Sequence, residues 1–377
     1  MLLNDEQQMI RDTARAFARE VLAPGAAARA AAAAIEPEVL KALGEMGFLG
    51  MTVPEDLGGA GADYVSYALA LMEIAGGDGA VSTVMSVHNA PFNAILQRYG
   101  TPEQKERVLR PAAAGAFIGG FALTEPHAGS DASAIRTRAQ PRNDRYIVNG
   151  EKVFITSGKI AGWIILFARL EGSEGKKGIT AFLTPTDAPG YEVAKIEQKL
   201  GQAASDTAAL RFDGLEIATE NRIGEDGEGY RIALSSLETG RIGIAAQSVG
   251  MAEAALEIAL QYARDRTSFG KPLIEHQAVG FRLADARTRL EAARQLVLHA
   301  ASLKDAGLPC LTEAAMAKLY ASEAAERICS DAIQTLGGYG YTADFPVERI
   351  WRDVRVCQIY EGTSDIQKML ILRGMTG

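Results

Sequence analysis

One stretch decides the fold of this 377-residue chain: Tyr146-Ile147-Val148-Asn149-Gly150-Glu151-Lys152-Val153-Phe154-Ile155. An Asn-Gly pair between two runs of β-branched and aromatic residues is a strong hairpin signal, so a turn is predicted at Asn149-Gly150. Similar runs, bounded by turn residues, predict strands at 163–168, 178–183 and 209–217. Because nothing helical in this interval is long, residues 118–226 are predicted to form an antiparallel β domain, either a barrel or a sandwich.

Apolar residues recur at helical spacing on both sides of this β region. Asn4 is predicted to cap the first helix, and helical patterns recur up to Tyr99. Beyond the β region, long helical segments separated by glycine-rich breaks are predicted at 230–265, 276–304, 312–336 and 364–373. Helices of this length joined by short turns pack most readily as a bundle. The predicted fold class is α+β multidomain, with an N-terminal α-helical domain (1–117), a middle antiparallel β domain (118–226) and a C-terminal four-helix bundle (227–377).

The composition excludes several classes of protein. The chain has 39 Lys and Arg against 47 Asp and Glu, a net charge of −8, which is the wrong sign for a general nucleic-acid binder. No stretch reaches the roughly 18 unbroken apolar residues of a membrane span, and the acidic N-terminus does not resemble a signal peptide. Three cysteines without CxxC spacing are typical of a reducing compartment. We therefore expect a soluble, cytoplasmic protein that binds neither nucleic acid nor membrane.

Common catalytic motifs are missing from the sequence. The histidines at positions 88, 127, 276 and 299 share no metal-ligand spacing and no HExxH occurs, so no metal site is predicted. Without GxSxG, hydrolysis by a Ser-His-Asp triad has no support. The glycine-rich segments match neither a dinucleotide-binding GxGxxG after a strand nor a P-loop.

Three polar, glycine-rich segments at the predicted seams could bind a ligand. Residues 121–131, FALTEPHAGSD, offer hydroxyls and backbone N–H groups after a strand, although a plain surface loop is the simpler interpretation. Residues 264–277 carry arginines suited to a pyrophosphate, and the alternative is a solvated ion-pair cluster at a helix end. Residues 334–341, QTLGGYGY, allow close approach to a ligand, or supply a helix C-cap.

A fourth segment, residues 360–365 (YEGTSD), contains a candidate base. Glu361 follows the apolar residues Cys357 and Ile359. A carboxyl group in an apolar pocket has a raised pKa and becomes a better base near neutral pH. By itself, however, Glu361 is as simply explained as a residue at the start of the last helix, where the helix dipole favours an acid.

Seven segments occur together and in order along the chain. They are VPEDLGGAG (53–61), LTEPHAGSD (123–131), GEKVFITSG (150–158), KLGQAASDT (199–207), RTSFGKP with EHQ (266–277), QTLGGYGY (334–341) and IYEGTSDIQ (359–367). In this order they resemble the acyl-CoA dehydrogenase family over essentially the whole chain. The resemblance implies the same three-part fold and a homotetramer.

The resemblance also implies FAD as the cofactor, lying between the β domain and the bundle. Carried over position by position, the residues expected to bind FAD are Phe121, Leu123, Thr124, Ser130, Phe154 and Thr156, with Thr363 and Asp365 at its adenosine diphosphate part. The residues expected to bind the FAD of a neighbouring subunit are Arg266, Ser268, Phe269, Gln277, Gln334, Gly337 and Gly338. Substrate contacts are implied for Ser130, Glu238, Arg241, Tyr360 and Gly362.

By the same resemblance, Glu361 is the catalytic base. It is expected to remove the α-proton of a saturated acyl-CoA thioester while the β-hydride passes to flavin N5, leaving a trans-2-enoyl-CoA. The enolate is expected to be stabilised by the Glu361 backbone N–H and a ribityl hydroxyl. Electrons are expected to leave through an electron-transferring flavoprotein. The implied setting is fatty acid β-oxidation or branched-chain amino acid catabolism.

Two other functions stay open at this point. One is an acyl-CoA oxidase of the same fold, whose reduced flavin reacts with oxygen. The other is a non-catalytic or nucleic-acid-associated relative, which the net charge and the presence of Glu361 disfavour. The segment Val81–Asn89 has no Arg or Lys, where glutaryl-CoA enzymes carry a cation, so a short straight-chain or branched substrate is expected.

Overall fold

The computed structural model describes residues 2–376 and has helices on both sides of a sheet. The helices before the sheet are α1 (Asp5–Phe17), α2 (Ala23–Ala32), α3 (Pro37–Glu45), α4 (Tyr64–Gly77), α5 (Gly79–Val87), α6 (Ala94–Tyr99), α7 (Pro102–Gln104) and α8 (Arg110–Ala113). Short π-helical segments link some of them at Ala18–Leu22, His88–Asn93 and Lys105–Leu109. Asn4 caps α1 as predicted, since its side chain accepts from Gln7 N at 2.8 Å.

The helices after the sheet are α9 (Gly229–Asp265), α10 (Gln277–Asp305), α11 (Leu311–Leu336), α12 (Gly338–Tyr341), α13 (Val347–Val354) and α14 (Ser364–Thr376). The four predicted long segments correspond to α9, α10, α11 and α14. α11 packs against the other three, which gives the predicted bundle. α10 presents a buried stripe to it, because Leu283, Ala286 and Leu290 recur at three- and four-residue spacing.

The eight strands of the middle region form one sheet. They are β1 (Ile118–Ala122), β2 (Arg138–Arg142), β3 (Arg145–Thr156), β4 (Ala161–Leu170), β5 (Ile179–Pro185), β6 (Tyr191–Ile196), β7 (Thr207–Ala218) and β8 (Arg222–Ile223). Their order is β6-β7-β3-β2-β4-β5-β8, with β1 beside β4. β1 and β2 run parallel to β4, and the other pairs are antiparallel. The prediction of an antiparallel sheet therefore misses two parallel pairings.

The predicted hairpin at Asn149-Gly150 is wrong. β3 runs straight through these two residues, and its pairing with β7 shifts register between Val148 and Gly150. The actual hairpin joins β2 to β3 and turns between Arg142 and Arg145, where Asn143 has a left-handed φ of 52°. Gly150 has another purpose: a Cβ there would lie 2.7 Å from Thr137 Cα, so only glycine lets the two backbones approach.

The buried apolar residues form three clusters. The largest cluster joins α4 to the bundle and includes Leu71 of α4 together with Val249 and Ala252 of α9. A second lies between the preceding helices and the sheet and includes Phe92 and Ile165. The third fills the interior of the sheet region. The C-terminal segment joins the largest cluster just before α14, since Val354 and Cys357 belong to it.

One helix, α9, is long and apolar enough to cross a membrane by length and composition. Of its most apolar window, however, 78% is buried within the protein. Core helices of folded proteins share these properties, so the finding is explained by the central place of α9 in the fold.

A short hairpin and several 3-10 turns complete the chain. The hairpin follows α9 and consists of β9 (Thr267–Ser268) and β10 (Lys271–Pro272). The 3-10 turns lie at Glu55–Leu57, Ala132–Ala134, Lys176–Gly178, Thr219–Asn221, Leu273–Glu275 and Arg355–Gln358.

Candidate functional site

Glu361 lies in a strained turn between the 3-10 turn Arg355–Gln358 and α14. Its φ is 56°, and that of Gly362 is 91°, so two successive residues have left-handed backbone. Such a conformation is costly for a residue with a Cβ and persists only where the surroundings impose it. The turn directs the Glu361 side chain towards α9.

The carboxyl group of Glu361 lies against the backbone of α9. A Cβ placed on Gly240 would lie 2.6 Å from Glu361 Oε2, so glycine makes the room that this carboxyl occupies. The residue as a whole is partly exposed, but Oε2 is buried and has no hydrogen-bond partner. Burial raises the pKa of Glu361 to about 7, although Arg241 and Lys318 act in the opposite direction.

Two buried cations flank this carboxyl group. Arg241 follows Gly240 on α9, and its Nε and Nη1 atoms are buried without a hydrogen-bond partner. Lys318 comes from α11, is fully buried, and donates to the carbonyl of Gly362 at 2.6 Å. Burial lowers the pKa of both side chains, that of Lys318 to about 8. Glu361 Oε2 is therefore a buried, unpaired oxygen in a positive environment.

A buried polar network begins beside Glu361. The Tyr360 hydroxyl donates to Gln247 Oε1 at 2.6 Å. Gln247 Nε2 donates to Ser82 Oγ at 2.7 Å and to Thr83 Oγ1 at 2.5 Å. Thr83 in turn donates to Gln202 Oε1 at 2.6 Å. The network thus ties α5, the loop before β7, α9 and the C-terminal segment to one another.

The predicted flavin-lining residues come from two adjacent segments. Val153 N donates to Thr124 O at 3.0 Å, which joins the end of β1 to β3. This brings Phe121, Leu123 and Thr124 to the same region as Phe154 and Thr156. Phe154 has a left-handed φ of 60° and is 65% exposed, which is unusual for a large apolar side chain. The adjacent Ser157 Oγ is buried without a partner.

A buried ion pair supports the first of these segments. Lys152 Nζ donates to Leu123 O at 2.8 Å and to Glu125 Oε1 at 2.7 Å. Glu125 also accepts from the backbone N–H groups of Arg136 and Thr137. His127 lies 3.4 Å from Glu125 Oε2. The buried ion pair of Lys152 and Glu125, with its hydrogen bonds to the backbone, therefore holds the turn of residues 123–127 in place.

A second group of predicted cofactor residues is exposed at the far end of the bundle. Phe269, at the tip of the β9–β10 hairpin, is 95% exposed and has a φ of 51°. At the end of α11, Gly337 has a φ of 62°, and a Cβ on Gly337 or Gly338 would meet open space. The two segments are neighbours, since the ring of Tyr262, near the end of α9, lies 6.3 Å from the ring of Tyr339 in a tilted arrangement. Of the remaining members, Arg266, Gln277 and Gln334 are exposed and Ser268 is half-buried.

Four further predicted residues lie in the turn after β1, on α9 and at the start of α14. Ser130 is exposed in the turn after β1. Glu238 pairs with Lys304 at 2.9 Å, and its contact with substrate stays a prediction. Thr363 accepts the N–H of Ile366 at the start of α14, at 3.4 Å. Asp365 points into solvent, within 3.8 Å of Lys368. Among residues 2–376 no group of three or more His, Cys, Asp or Glu is arranged to hold a metal ion.

Family models match the chain along nearly its whole length. The N-terminal domain of acyl-CoA dehydrogenase matches residues 4–116, the middle domain residues 120–215 and the C-terminal domain residues 227–376.

The chain belongs to the acyl-CoA dehydrogenase family.

Individual relatives agree with this assignment. An acyl-CoA dehydrogenase of Bacillus subtilis is 46% identical over the full length of both chains. The mitochondrial short-chain specific acyl-CoA dehydrogenase of Rattus norvegicus is 45% identical, over 98% of this chain and 90% of its own. The solved structure of butyryl-CoA dehydrogenase from Megasphaera elsdenii is 40% identical, covers all of both chains and superposes with a TM-score of 0.98. The predicted family, fold class, enzyme class and FAD dependence are confirmed.

Three residues near Glu361 were not singled out from the sequence. Gly240 is one of several glycines of α9, and Gln367 is the last residue of the segment IYEGTSDIQ. Lys318 carried a signal that could have been used, because it lies on the buried face of α11 with Ala314 and Ala321. A lysine on an otherwise apolar stripe marks either an ion pair or a functional site.

Proposed function

We propose that this protein is a FAD-dependent short-chain acyl-CoA dehydrogenase, in which Glu361 removes the α-proton of a saturated acyl-CoA thioester to yield a trans-2-enoyl-CoA. The observation that carries the proposal is the Glu361 carboxyl group, which is buried against Gly240 with Oε2 unpaired. An unpaired carboxyl with a pKa of about 7 accepts a proton readily at neutral pH. A carboxylate held in an ion pair would be a much weaker base.

The α-proton of a thioester is too weakly acidic for a carboxylate acting without help. The charge that develops on the thioester oxygen must be stabilised by preorganised donors. Among the described residues, the Glu361 backbone N–H donates to no other group. We therefore place the thioester oxygen at this N–H, so that one residue supplies both the base and an oxyanion donor.

The residues around Phe154 fit a flavin. The exposed ring of Phe154 offers an apolar surface to a planar heterocycle, and the buried Ser157 Oγ lacks a partner. We assign Phe121, Leu123, Thr124, Phe154 and Thr156 to the isoalloxazine, and Ser130, Thr363 and Asp365 to the more polar parts of FAD. When bound, FAD supplies the hydride-accepting chemistry of the reaction.

Support for a short substrate comes from the polar network beside Glu361. Gln247 lies seven residues, or two helical turns, beyond Gly240 on α9, which is roughly 10 Å. Its hydrogen bonds to Tyr360, Ser82 and Thr83 would have to be broken by a long alkyl chain. A butyryl chain ends before this point. Ser130, Glu238, Arg241, Tyr360 and Gly362 are proposed as the substrate contacts.

The remaining features of the proposal follow family membership. The three domains are placed at 1–117, 118–226 and 227–377. The protein is a cytoplasmic homotetramer that passes electrons to an electron-transferring flavoprotein. The exposed group of Arg266, Ser268, Phe269, Gln277, Gln334, Gly337 and Gly338 then binds the FAD of a neighbouring subunit. Exposure of Phe269 in the isolated chain supports an occupant from another subunit.

An anaerobic titration of the FAD-loaded protein tests the function. Butyryl-, isobutyryl-, octanoyl- and palmitoyl-CoA are added in turn, and bleaching of the flavin absorbance is followed. Butyryl-CoA is expected to bleach most at the lowest concentration, and palmitoyl-CoA least. If no thioester bleaches the flavin, the proposed activity is wrong. Reoxidation by oxygen faster than by an electron-transferring flavoprotein would instead support the oxidase.

A further inference from the structure

The peptide group between Glu361 and Gly362 is held in an unfavourable conformation. The two residues have φ values of 56° and 91°. A left-handed conformation is unfavourable for a residue with a Cβ and relaxes unless neighbouring groups prevent it. The groups that contact the carbonyls of this turn therefore decide where the Glu361 side chain points.

One of these groups is the ammonium of Lys318. It crosses from α11 to donate to Gly362 O at 2.6 Å. Lys318 is fully buried, and no carboxylate of residues 2–376 lies within ion-pair distance of its Nζ atom. Burying an ammonium without a carboxylate partner is strongly unfavourable. A lysine that serves packing alone would be replaced by an apolar residue at no loss, so the hydrogen bond to the turn is the feature that requires it.

The second group is the side-chain amide of Gln367. Its Nε2 donates to Gly362 O at 2.8 Å and lies 3.4 Å from Glu361 O. Gln367 is fully buried in the first turns of α14, where its backbone N–H donates to Thr363 O at 3.0 Å. The carbonyl of Gly362 is thus held from two directions, by α11 and by α14.

We propose that Lys318 and Gln367 are positioning residues for the catalytic base: by holding the Gly362 carbonyl, they keep the carboxyl group of Glu361 against Gly240. This inference rests on the function proposed above. Neither side chain contacts the Glu361 carboxyl group directly, so both act through the backbone of the turn.

Lys318 has a second effect, through its charge. The charged and titratable groups that face Glu361 are Arg241 from α9, Lys318 from α11 and Tyr67 from α4. Tyr67 is neutral at physiological pH, and burial raises the pKa of its hydroxyl further. The two cations hold the pKa of Glu361 below the value that burial alone would give. Removing one of them raises that pKa, whereas removing an uncharged group does not.

The test compares Lys318→Met with Gln367→Met and with Lys152→Met. Lys152 is an equally buried lysine, but its contacts are Leu123 and Glu125. For Lys318→Met we expect kcat for butyryl-CoA, per bound flavin, to fall about 10- to 100-fold with KM little changed, since a small misplacement of a base costs this much. Its kcat profile should also move to higher pH. Gln367→Met should lower kcat without moving the midpoint, and Lys152→Met should leave the midpoint where it is.

A second readout needs no turnover. Infrared difference spectra of the protein, titrated with acid, report the Glu361 carboxyl band, which Glu361→Gln assigns by removing it. Lys318→Met should move the midpoint of this band upward. Wild-type kcat and an unmoved midpoint in Lys318→Met overturn the inference, provided that the wild type oxidises butyryl-CoA. If the wild type does not, the proposed function is wrong instead. If Lys318→Met does not fold, Gln367→Met decides, and wild-type kcat there also overturns the inference.

Discussion

Glu125 and Glu361 both carry carboxyl groups inside the fold, but their surroundings differ. Glu125 accepts from Lys152 and from two backbone N–H groups. Burial alone would raise its pKa, but these contacts outweigh burial and hold it below the usual value. Glu361 has cations nearby, yet Lys318 is directed to a carbonyl and Oε2 has no partner. Burial therefore prevails, and the pKa of Glu361 rises to about 7.

This difference separates a structural acid from a reactive one. A carboxylate with all its lone pairs engaged is stable and gains little from a proton. A carboxyl left unpaired in a dry pocket is costly to the fold and gains from a proton at neutral pH. The same residue type thus fixes the turn at 123–127 in one place and is available for proton transfer in the other.

Glu361→Gln is expected to have the largest effect. The amide occupies the same space but accepts no proton, so turnover of butyryl-CoA should fall by roughly 10²- to 10⁴-fold. The thermal midpoint of unfolding should not decrease, since an unpaired acid is replaced by a neutral group. Steady-state kinetics and calorimetry of the FAD-loaded variant measure both quantities. Turnover equal to that of the wild type would remove Glu361 from the mechanism.

Glu125→Gln, the same substitution at the paired site, should act on stability. It leaves the fully buried Lys152 without its countercharge, and breaking a buried pair in this way costs about 3 kcal/mol. Denaturant unfolding of both variants provides the comparison. If Glu125→Gln is as stable as the wild type, the ion pair does not fix the turn as described.

The two acids should affect the pH dependence of stability with opposite signs. The pKa of Glu361 rises from 4.5 to about 7 on folding, so the folded protein retains a proton that the unfolded chain releases in this interval. The free energy of unfolding therefore falls as pH rises through it, by at most about 3 kcal/mol, and Glu361→Gln abolishes this loss.

Glu125 has a lowered pKa, so its contribution is present above the usual value of 4.5 and is lost as pH falls through its folded pKa. Denaturant unfolding at a series of pH values measures both trends. A difference between wild type and Glu361→Gln that is flat from acid to neutral pH would show that Glu361 is not perturbed.

Gly240→Ala should have the smallest effect of the series. The new Cβ would lie 2.6 Å from Glu361 Oε2, the movable end of a side chain, so the carboxyl shifts while the fold survives. We expect kcat to fall about 10-fold with little change in the unfolding midpoint. Gly243→Ala is unsuitable as a control, because its Cβ would meet Ser86 Oγ at 2.8 Å. Gly76→Ala, on α4, is the better control and should keep wild-type kcat, because the nearest atom to its Cβ, Gly250 O, would lie 3.4 Å away.

Much of the fold could be predicted from the sequence, because helix signals are local. The capping pattern of Asn4 and the apolar spacing of α10 depend only on nearby residues. The prediction of a turn at Asn149-Gly150 is wrong because the glycine has another cause. Gly150 allows the close approach of Thr137, which is distant in sequence. The parallel pairings of β1 and β2 with β4 likewise depend on long connections that carry no local signal.

The candidate site was predictable in part. Glu361 was identified through its motif, whereas its apolar neighbours in sequence did not distinguish a base from a helix start. What decides its chemistry comes from elsewhere in the chain: Gly240 on α9, Lys318 on α11 and Gln367 on α14. Such an arrangement becomes visible only when the helices are packed together.

The central claim is that Glu361 is an unpaired, buried acid that takes the substrate proton. The most direct measurement is the rate of anaerobic flavin bleaching by butyryl-CoA in a single turnover, across pH, for wild type and Glu361→Gln. The wild-type rate should increase with pH through a midpoint near 7, the pKa of Glu361, and Glu361→Gln should show no such dependence and almost no bleaching. A midpoint near 4.5, or rapid bleaching of Glu361→Gln, would contradict the claim.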